Sequence, residues 1–393
     1  MTDRIIIDRF KLLLSKFHYS SDIAVKTISD IKNIPFTTKE TLKDFPLDGS
    51  RVFPTHWYFA SGTTKDVFPL CTSRAAETGI FRRAEKAFRL AGIKKNDSII
   101  NVAGYGFTNG ALIFHHGIQR IGASVLSCGP ITNKTRKPVL DFIEKFRPSG
   151  IIGMHHCVYE LLSARNKKSD FIRTVISGGS ILTDKIRESI GGFIGEHLYN
   201  MYGCNEIGII AIQDNPREKR WLRLIEDDCY FEILKDNKET CDHGKGMLVI
   251  TYFLNYSLPI IRFILGDYVE IIKKDGVRYV EILGRADRRF NFNNEVVSVN
   301  MLITTVTDIL GHNQFNIFIE NDPVSLRDIL TIKLYKKDSL KANPIEILFT
   351  RNLNIRPKIK ISAGALLKTP GNNKYANFID KRALRLKHKN LLY

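Results

Sequence analysis

A carboxylate set between two glycines, in the run Asn200-Met201-Tyr202-Gly203-Cys204-Asn205-Glu206-Ile207-Gly208, is where residue types and spacing most clearly suggest chemistry. Glu206 offers acceptor oxygens to a hard cation, and Tyr202 offers a flat ring that can lie on a base, so the run reads as the Mg-ATP corner of an active site. Upstream, Ser61-Gly62-Thr63-Thr64-Lys65 is a small, hydroxylated turn of the kind that cradles phosphates, because backbone N–H groups and hydroxyls converge there without bulky neighbours. An ordinary hairpin turn has the same composition, and the spacing is not that of a Walker A loop. Gly178-Gly179 follows an apolar run and would let a flat ring lie against the backbone; a tight turn would look alike. Asp267, after Gly266, can serve a vicinal diol or simply a turn. Near the C-terminus the loop 366–374 presents Lys374, with Lys368 close by.

These groups need elements to hold them. Apolar spacing at Ile6, Phe10, Leu13, Leu14 and Phe17 predicts helix over 1–30. Thr37 or Thr38 is placed to cap the next helix. A buried strand at 98–103 leads into Gly104-Tyr105-Gly106-Phe107, whose third glycine, Gly110, comes one residue late for a dinucleotide fingerprint. A helix follows over 111–121, on which His115 and His116 point in different directions and form no metal site. Strands at 150–154 and 171–176, each followed by a helix, repeat a strand, glycine turn and helix pattern that predicts α/β layers with ligands at the carboxyl ends of the strands. Short strands at 246–251, 258–268 and 280–287 predict a small β subdomain, and an α+β segment closes the chain.

At 393 residues, 44% of them hydrophobic, the chain can bury a large core and is expected to form more than one domain. No apolar run approaches the roughly 18 residues of a membrane span, and the start carries charges where a signal peptide needs an apolar core, so the expectation is a soluble cytoplasmic protein. Six scattered cysteines without a CxxC pair indicate neither disulfides nor a zinc knuckle. The net charge of +18 invites a nucleic-acid reading, but no nucleic-acid-binding signature accompanies it. Residues 288–393 hold 18 Lys plus Arg against 8 Asp plus Glu, an excess that serves either as a solvated surface or to attract an anionic partner.

Taken as an ensemble, these blocks resemble the phenylacetate-CoA ligase branch of the AMP-forming adenylating enzymes over nearly the whole chain. The resemblance rests on Ile34-Pro35-Phe36-Thr37-Thr38-Lys39, Ala60 to Lys65, Gly104-Tyr105-Gly106, Gly178-Gly179, Tyr202-Gly203 with Glu206, Leu258 to Phe263 with Gly266-Asp267, Gly284-Arg285-Ala286-Asp287, and Lys374 with Ile379 to Arg382. It implies an α/β adenylation domain over 1–286 that includes a small β subdomain, a hinge near Asp287, and a mobile α+β domain over 287–393 carrying the catalytic Lys374. It further implies ATP contacts from Ser61, Gly62, Thr63, Thr64, Lys65, Gly178, Gly179, Tyr202, Asp267 and Arg285, magnesium at Glu206, and an acyl pocket at Tyr105, Gly106, Phe107 and Gly203.

The implied reaction is attack of a carboxylate, an aryl acid being favoured, on ATP to give an acyl-adenylate and pyrophosphate. Acyl transfer to a thiol follows, with CoA or phosphopantetheine on an acidic carrier protein as acceptor. An amine acceptor, or a degenerate nucleotide-binding homologue, is the alternative. Some departures bear on this. The phosphate loop lacks a glycine between Thr64 and Lys65 and has Asp66 where proline is usual; Asn205 replaces a threonine; Asn293-Asn294 replaces Arg-Gly. Zinc is not expected, since only Cys229, Cys241 and His243 lie where some relatives bind it.

Overall fold

In this computed structural model the described residues are 2–17, 24–45, 52–59, 69–179, 182–285, 289–292, 295–321, 328–353, 355–362, 366 and 378–380. The chain opens with α1 (Asp3–Lys16), whose Ile6, Phe10, Leu13 and Leu14 are buried as their helical spacing predicts. The helix stops there rather than reaching residue 30, and a 3₁₀ turn follows at Ile28–Asn33. Thr38, not Thr37, caps α2 (Lys39–Lys43), accepting from the Thr41 amide. The Thr37 hydroxyl instead donates to the Ile261 carbonyl at 2.8 Å. A hairpin of β1 (His56–Phe59) and β2 (Pro69–Thr72) precedes the long amphipathic α3 (Arg74–Leu90).

The middle of the chain alternates strand and helix: β3 (Ser98–Asn101), α4 (Gly110–Ile121), β4 (Ser124–Ser127), α5 (Asn133–Phe146), β5 (Gly150–Met154), α6 (His155–Arg165), β6 (Thr174–Gly178), α7 (Asp184–Ile194) and β7 (Leu198–Cys204). Strands β4, β3, β5, β6 and β7 lie side by side in parallel. Their side chains alternate between faces. Ile99, Ile152 and Ile176 meet α3 and α4 on one side, while Ile100, Ile151 and Val175 meet α5, α6 and α7 on the other. Covering both faces is what a parallel sheet requires. The predicted strand at 171–176 begins three residues later and runs through Ser177 into Gly178. There the Cβ of any other residue would stand 2.3 Å from the Met201 carbonyl oxygen, so glycine at this position serves close strand approach.

After β7 the polarity reverses. Antiparallel β8 (Gly208–Ile212) and β9 (Leu222–Leu224) join the parallel strands to a β layer of β10 (Cys229–Leu234), β11 (Thr240–Cys241), β12 (Gly244–Tyr252), β13 (Phe263–Lys274) and β14 (Val277–Arg285). Among the described residues these make one twelve-stranded sheet. The strand predicted at 258–268 starts only at Phe263. Before it, Arg262 sits at φ +46°, a left-handed conformation that breaks the strand.

Beyond it come the hairpin β15 (Arg289–Phe292) and β16 (Glu295–Ser298), α8 (Val299–Leu310), β17 (Asn316–Asn321), β18 (Asp328–Tyr335), α9 (Ala342–Leu353), β19 (Lys358–Ser362) and β20 (Phe378–Asp380). Four of these strands form a separate sheet in the order β19-β18-β17-β20. It packs on α8 and α9 around its own core of Leu302, Val306, Phe315, Ile317, Ile332 and Phe349. This C-terminal unit rests on α6 and α7: Gln314 donates to Glu160 at 2.9 Å, and His312 lies beside Tyr159. No helix among the described residues is long and apolar enough to cross a membrane.

Candidate active site

The site lies where the carboxyl ends of β3, β6 and β7 meet the end of β1 and the start of β13. The tight turn from β7 to β8 carries Asn205, Glu206 and Ile207. Gly203 permits this turn, since a Cβ there would stand 2.6 Å from the Gly208 carbonyl oxygen. Glu206 is only 6% exposed. Burying a carboxylate is costly unless a partner compensates it. Burial, followed by the Glu206 charge, pushes the neighbouring Cys204 thiol well above its ordinary pKa. Among the described residues no Lys, Arg or His forms an ion pair with Glu206. A buried, acceptor-only carboxylate of this kind fits Mg²⁺, which takes one or two protein carboxylates and fills its other positions with water and phosphate oxygens.

Three of the predicted nucleotide contacts converge from different elements. Asp267, near the start of β13 and 8% exposed, accepts from the Tyr202 hydroxyl on one oxygen and from Arg285 Nη1 on the other at 3.0 Å. β13 and β14 pair Asp267 with Arg285 directly, so the ion pair is a cross-strand neighbour contact. Burial, then the Asp267 charge, keeps the Tyr202 hydroxyl protonated far above its ordinary pKa. Each carboxylate oxygen has a second lone pair, so Asp267 is oriented and still able to accept from a diol. Gly179 follows β6 at φ +83°, a turn that glycine adopts without strain.

The predicted acyl-pocket residues Tyr105 and Phe107 lie on the loop after β3, and Phe107 is 66% exposed. The Phe107 carbonyl accepts from the Phe59 amide at 2.7 Å, and the two rings meet edge to face at 5.3 Å. The Tyr105 hydroxyl is held by Asn101 Nδ2 at 2.9 Å and lies 3.3 Å from His115 Nδ1, which also meets Ser127. His115 is therefore tied into a polar network, and His116 packs on Phe81. Gly106 has nothing within 4 Å of where a Cβ would be. Ser61, Gly62, Thr63, Thr64, Lys65, Asp287 and Lys374 lie outside the described residues.

Some site neighbours escaped the sequence reading. Asn205 Nδ2 donates to the Phe59 carbonyl at 2.9 Å, tying the Glu206 turn to the end of β1. Tyr58, on the same strand, is 3% exposed, and burial followed by the charges of Glu206 and Cys204 raises its pKa well above the ordinary value. Arg83 on α3 is wholly buried behind the turn; it donates to the Ile207 carbonyl and stacks on Tyr252 at 4.6 Å. Arg262, within the run from Leu258 to Phe263, has a structural role. It pairs with buried Glu232 at 2.9 Å, lies over Phe36, and donates to the carbonyls of Lys32 and Ile34. Cys229 packs against Arg83, whereas Cys241 pairs with Ile233 at the far end of β10, and among the described residues no group of three or more His, Cys, Asp or Glu could hold a metal.

This sheet, with its site at the strand ends and a C-terminal α+β unit docked on α6 and α7, is the fold of an acyl-CoA ligase. The structure of 2-hydroxyisobutyryl-CoA ligase, in the postadenylation state with its acyl-AMP, matches 98% of this chain and 88% of its own with a TM-score of 0.73 at 16% identity. No family model matches the chain. In sequence it is similar to the phenylacetate-coenzyme A ligase of Pseudomonas putida, 26% identical over 347 residues that span 81% of this chain and 72% of the relative. The Thermus thermophilus enzyme of the same name is 24% identical over 311 residues, 73% of this chain and 68% of its own. The resemblance to the phenylacetate-CoA ligase branch drawn from the motifs is thereby borne out.

Proposed function

We propose that the chain is an ATP-dependent, AMP-forming acid–thiol ligase. It joins a small carboxylic acid to AMP with release of pyrophosphate and then passes the acyl group to the thiol of CoA. The observation that carries this reading is the convergence of Tyr202 and Arg285 on Asp267, together with the buried carboxylate of Glu206, which has no ion-pair partner among the described residues. Asp267 receives the ribose diol, and the Tyr202 ring, fixed by its hydroxyl, lines the adenine side together with Gly178 and Gly179. Glu206 would hold Mg²⁺, whose charge offsets the phosphate oxygens while two anions are brought together. Ser61 to Lys65 cradle the outer phosphates, and Asn205 fixes the strand from which that loop springs.

Phe59, Phe107 and Tyr105 present rings at the mouth of the site, which favours an aryl acid. Residues 287–393 act as a mobile unit hinged near Asp287 that delivers Lys374 to the reacting carboxylate. The positive charge of this unit also suits an acidic carrier protein as a second thiol acceptor of the acyl group.

The test follows the products. With an acid panel, Mg-ATP and CoA, carrier protein or an amine offered separately, the reading predicts AMP together with an acyl thioester. ADP in place of AMP would overturn it, and an amide as the only product would move the chain to the amine-acceptor class.

A further inference from the structure

Arg83 on α3 is a wholly buried charge without an ion-pair partner among the described residues. Asp228, one residue before Cys229, accepts instead from Arg82 at 2.6 Å and Arg9 at 3.5 Å. Nη1 of Arg83 donates to the Cys229 sulfur, and Nη2 donates to the Ile207 carbonyl. The guanidinium lies over the Tyr252 ring at 4.6 Å, and its Nε has no hydrogen-bond partner among the described residues. A buried cation satisfied only in part is costly, and an apolar side chain of similar volume is often the more stable occupant. What the cation holds is specific. Ile207 directly follows Glu206, and Asn205, which directly precedes it, is tied to the Phe59 carbonyl at 2.9 Å. The carboxylate thus stands between two anchored neighbours. Ile80, three residues before Arg83 and so on the same face of α3, closes on the exit of this turn: a Cβ on Gly208 would stand 3.0 Å from it.

We propose that Arg83 is a positioning residue for the cation site: by holding the Ile207 carbonyl it fixes the backbone on which Glu206 stands, so that the carboxylate is aimed before a divalent ion arrives. This rests on the reading of Glu206 as the metal carboxylate. A guanidinium suits the task better than an ammonium, because its rigid fork is set by the Cys229 sulfur and the Tyr252 ring and leaves Nη2 directed at one carbonyl. Groups that orient a metal ligand without touching the metal typically contribute about 10- to 100-fold to its affinity.

The experiment compares the full-length protein with Arg83→Met, Arg83→Lys, Glu206→Gln and Arg82→Ala. The last removes the neighbouring ion pair on the same helix without touching the turn. Mn²⁺ binding in the presence of ATP is followed by electron paramagnetic resonance below the melting transition of each variant, and thermal unfolding is followed without nucleotide. The expected result is Mn²⁺ affinity weakened about 10-fold or more in both Arg83 variants and kept at the parent level in Arg82→Ala, whatever the melting temperatures. Parent-level affinity in either Arg83 variant alongside weakened affinity in Glu206→Gln would overturn the role of Arg83 and leave Glu206 in place. Unchanged affinity in Glu206→Gln would overturn the metal assignment itself. An equal loss in Arg82→Ala, or failure of both Arg83 variants to fold, would make the guanidinium a structural group and also refute the proposal.

Discussion

Asp267 shows how single residues make this site. Its two oxygens are held from opposite sides by a neutral and a charged donor, so the carboxylate is fixed before any diol arrives. Such preorganisation lowers the ordering cost of binding. Asp267→Asn removes the ionised acceptor and leaves Arg285 without its partner on the neighbouring strand. Hydrogen bonds to charged groups contribute roughly 1.5–3 kcal/mol, so the KM for ATP should rise about 10- to 100-fold, with a smaller change in the KM for the acid. Initial-rate measurements with each substrate varied in turn will check this, and an equal rise in both constants would point to general loss of the site. Tyr202, Glu206, Asp267 and Arg285 stood out in the sequence because each lies within two residues of a glycine, whereas the meeting of Tyr202 and Arg285 at Asp267 is shown only by the fold. Tyr58 was not legible, since nothing in its neighbours along the chain reveals that its ring is buried in the main core.

At the scale of elements, the site depends on contacts between segments far apart in the chain. The run from Ile34 to Thr37 is bound to the approach to β13: the Thr37 amide donates to the Arg262 carbonyl, the Ile264 amide donates to the Thr37 carbonyl, and the Arg262 side chain fills the space between. Two blocks that read as separate signatures are thus one structural unit, and it sets where β13 begins, four residues before Asp267. Removing one partner of a buried ion pair leaves the other uncompensated, at a cost of about 3–5 kcal/mol. Arg262→Met should therefore lower stability by that order in denaturant unfolding. A Glu232→Gln, Arg262→Met double substitution should lose less than the sum of the single changes. Additive losses would show that Arg262 acts mainly through the carbonyls of Lys32 and Ile34. Asn205→Ala tests the other tie, between the Glu206 turn and β1. With the Phe59 carbonyl released, adenylation should slow while the melting temperature moves little, and the paired measurement decides it.

These links also explain what sequence patterns conveyed about the elements. Strands β3, β5 and β6 were legible from apolar runs bordered by glycine, and α1 from its apolar spacing. The end of α1 and the late start of β6 were not, and neither was the break at Arg262, which is imposed by partners elsewhere in the fold: Glu232, Phe36 and the carbonyls of Lys32 and Ile34. Gly178 is the clearest case: the sequence suggests a turn for a flat ring, and the sheet shows a glycine demanded by the carbonyl of Met201 on the next strand.

For the molecule as a whole, the account is of a large sheet that binds nucleotide and a C-terminal unit with its own core that serves the chemistry. Lys374 precedes β20 in the sequence of that unit, and on the proposed reading a unit with its own core delivers the lysine as one piece. Lys374→Ala should slow adenylation by a factor on the order of 10² or more, as when one preorganised donor is lost, and spare acyl transfer from supplied adenylate. Near-normal adenylation would hand the role to Lys368. The basic excess of residues 288–393 should make the acceptor step fall with added salt more than adenylation does, and equal salt sensitivity of the two would remove that role. Beneath these lies the claim that the chain makes an acyl-adenylate at Glu206 and Asp267. Exchange of labelled pyrophosphate into ATP measures it most directly, run with and without an aryl acid and with Glu206→Gln beside the parent. The account predicts exchange that requires both acid and Mg²⁺ and collapses in the variant; ATP binding without exchange under any acid would contradict it.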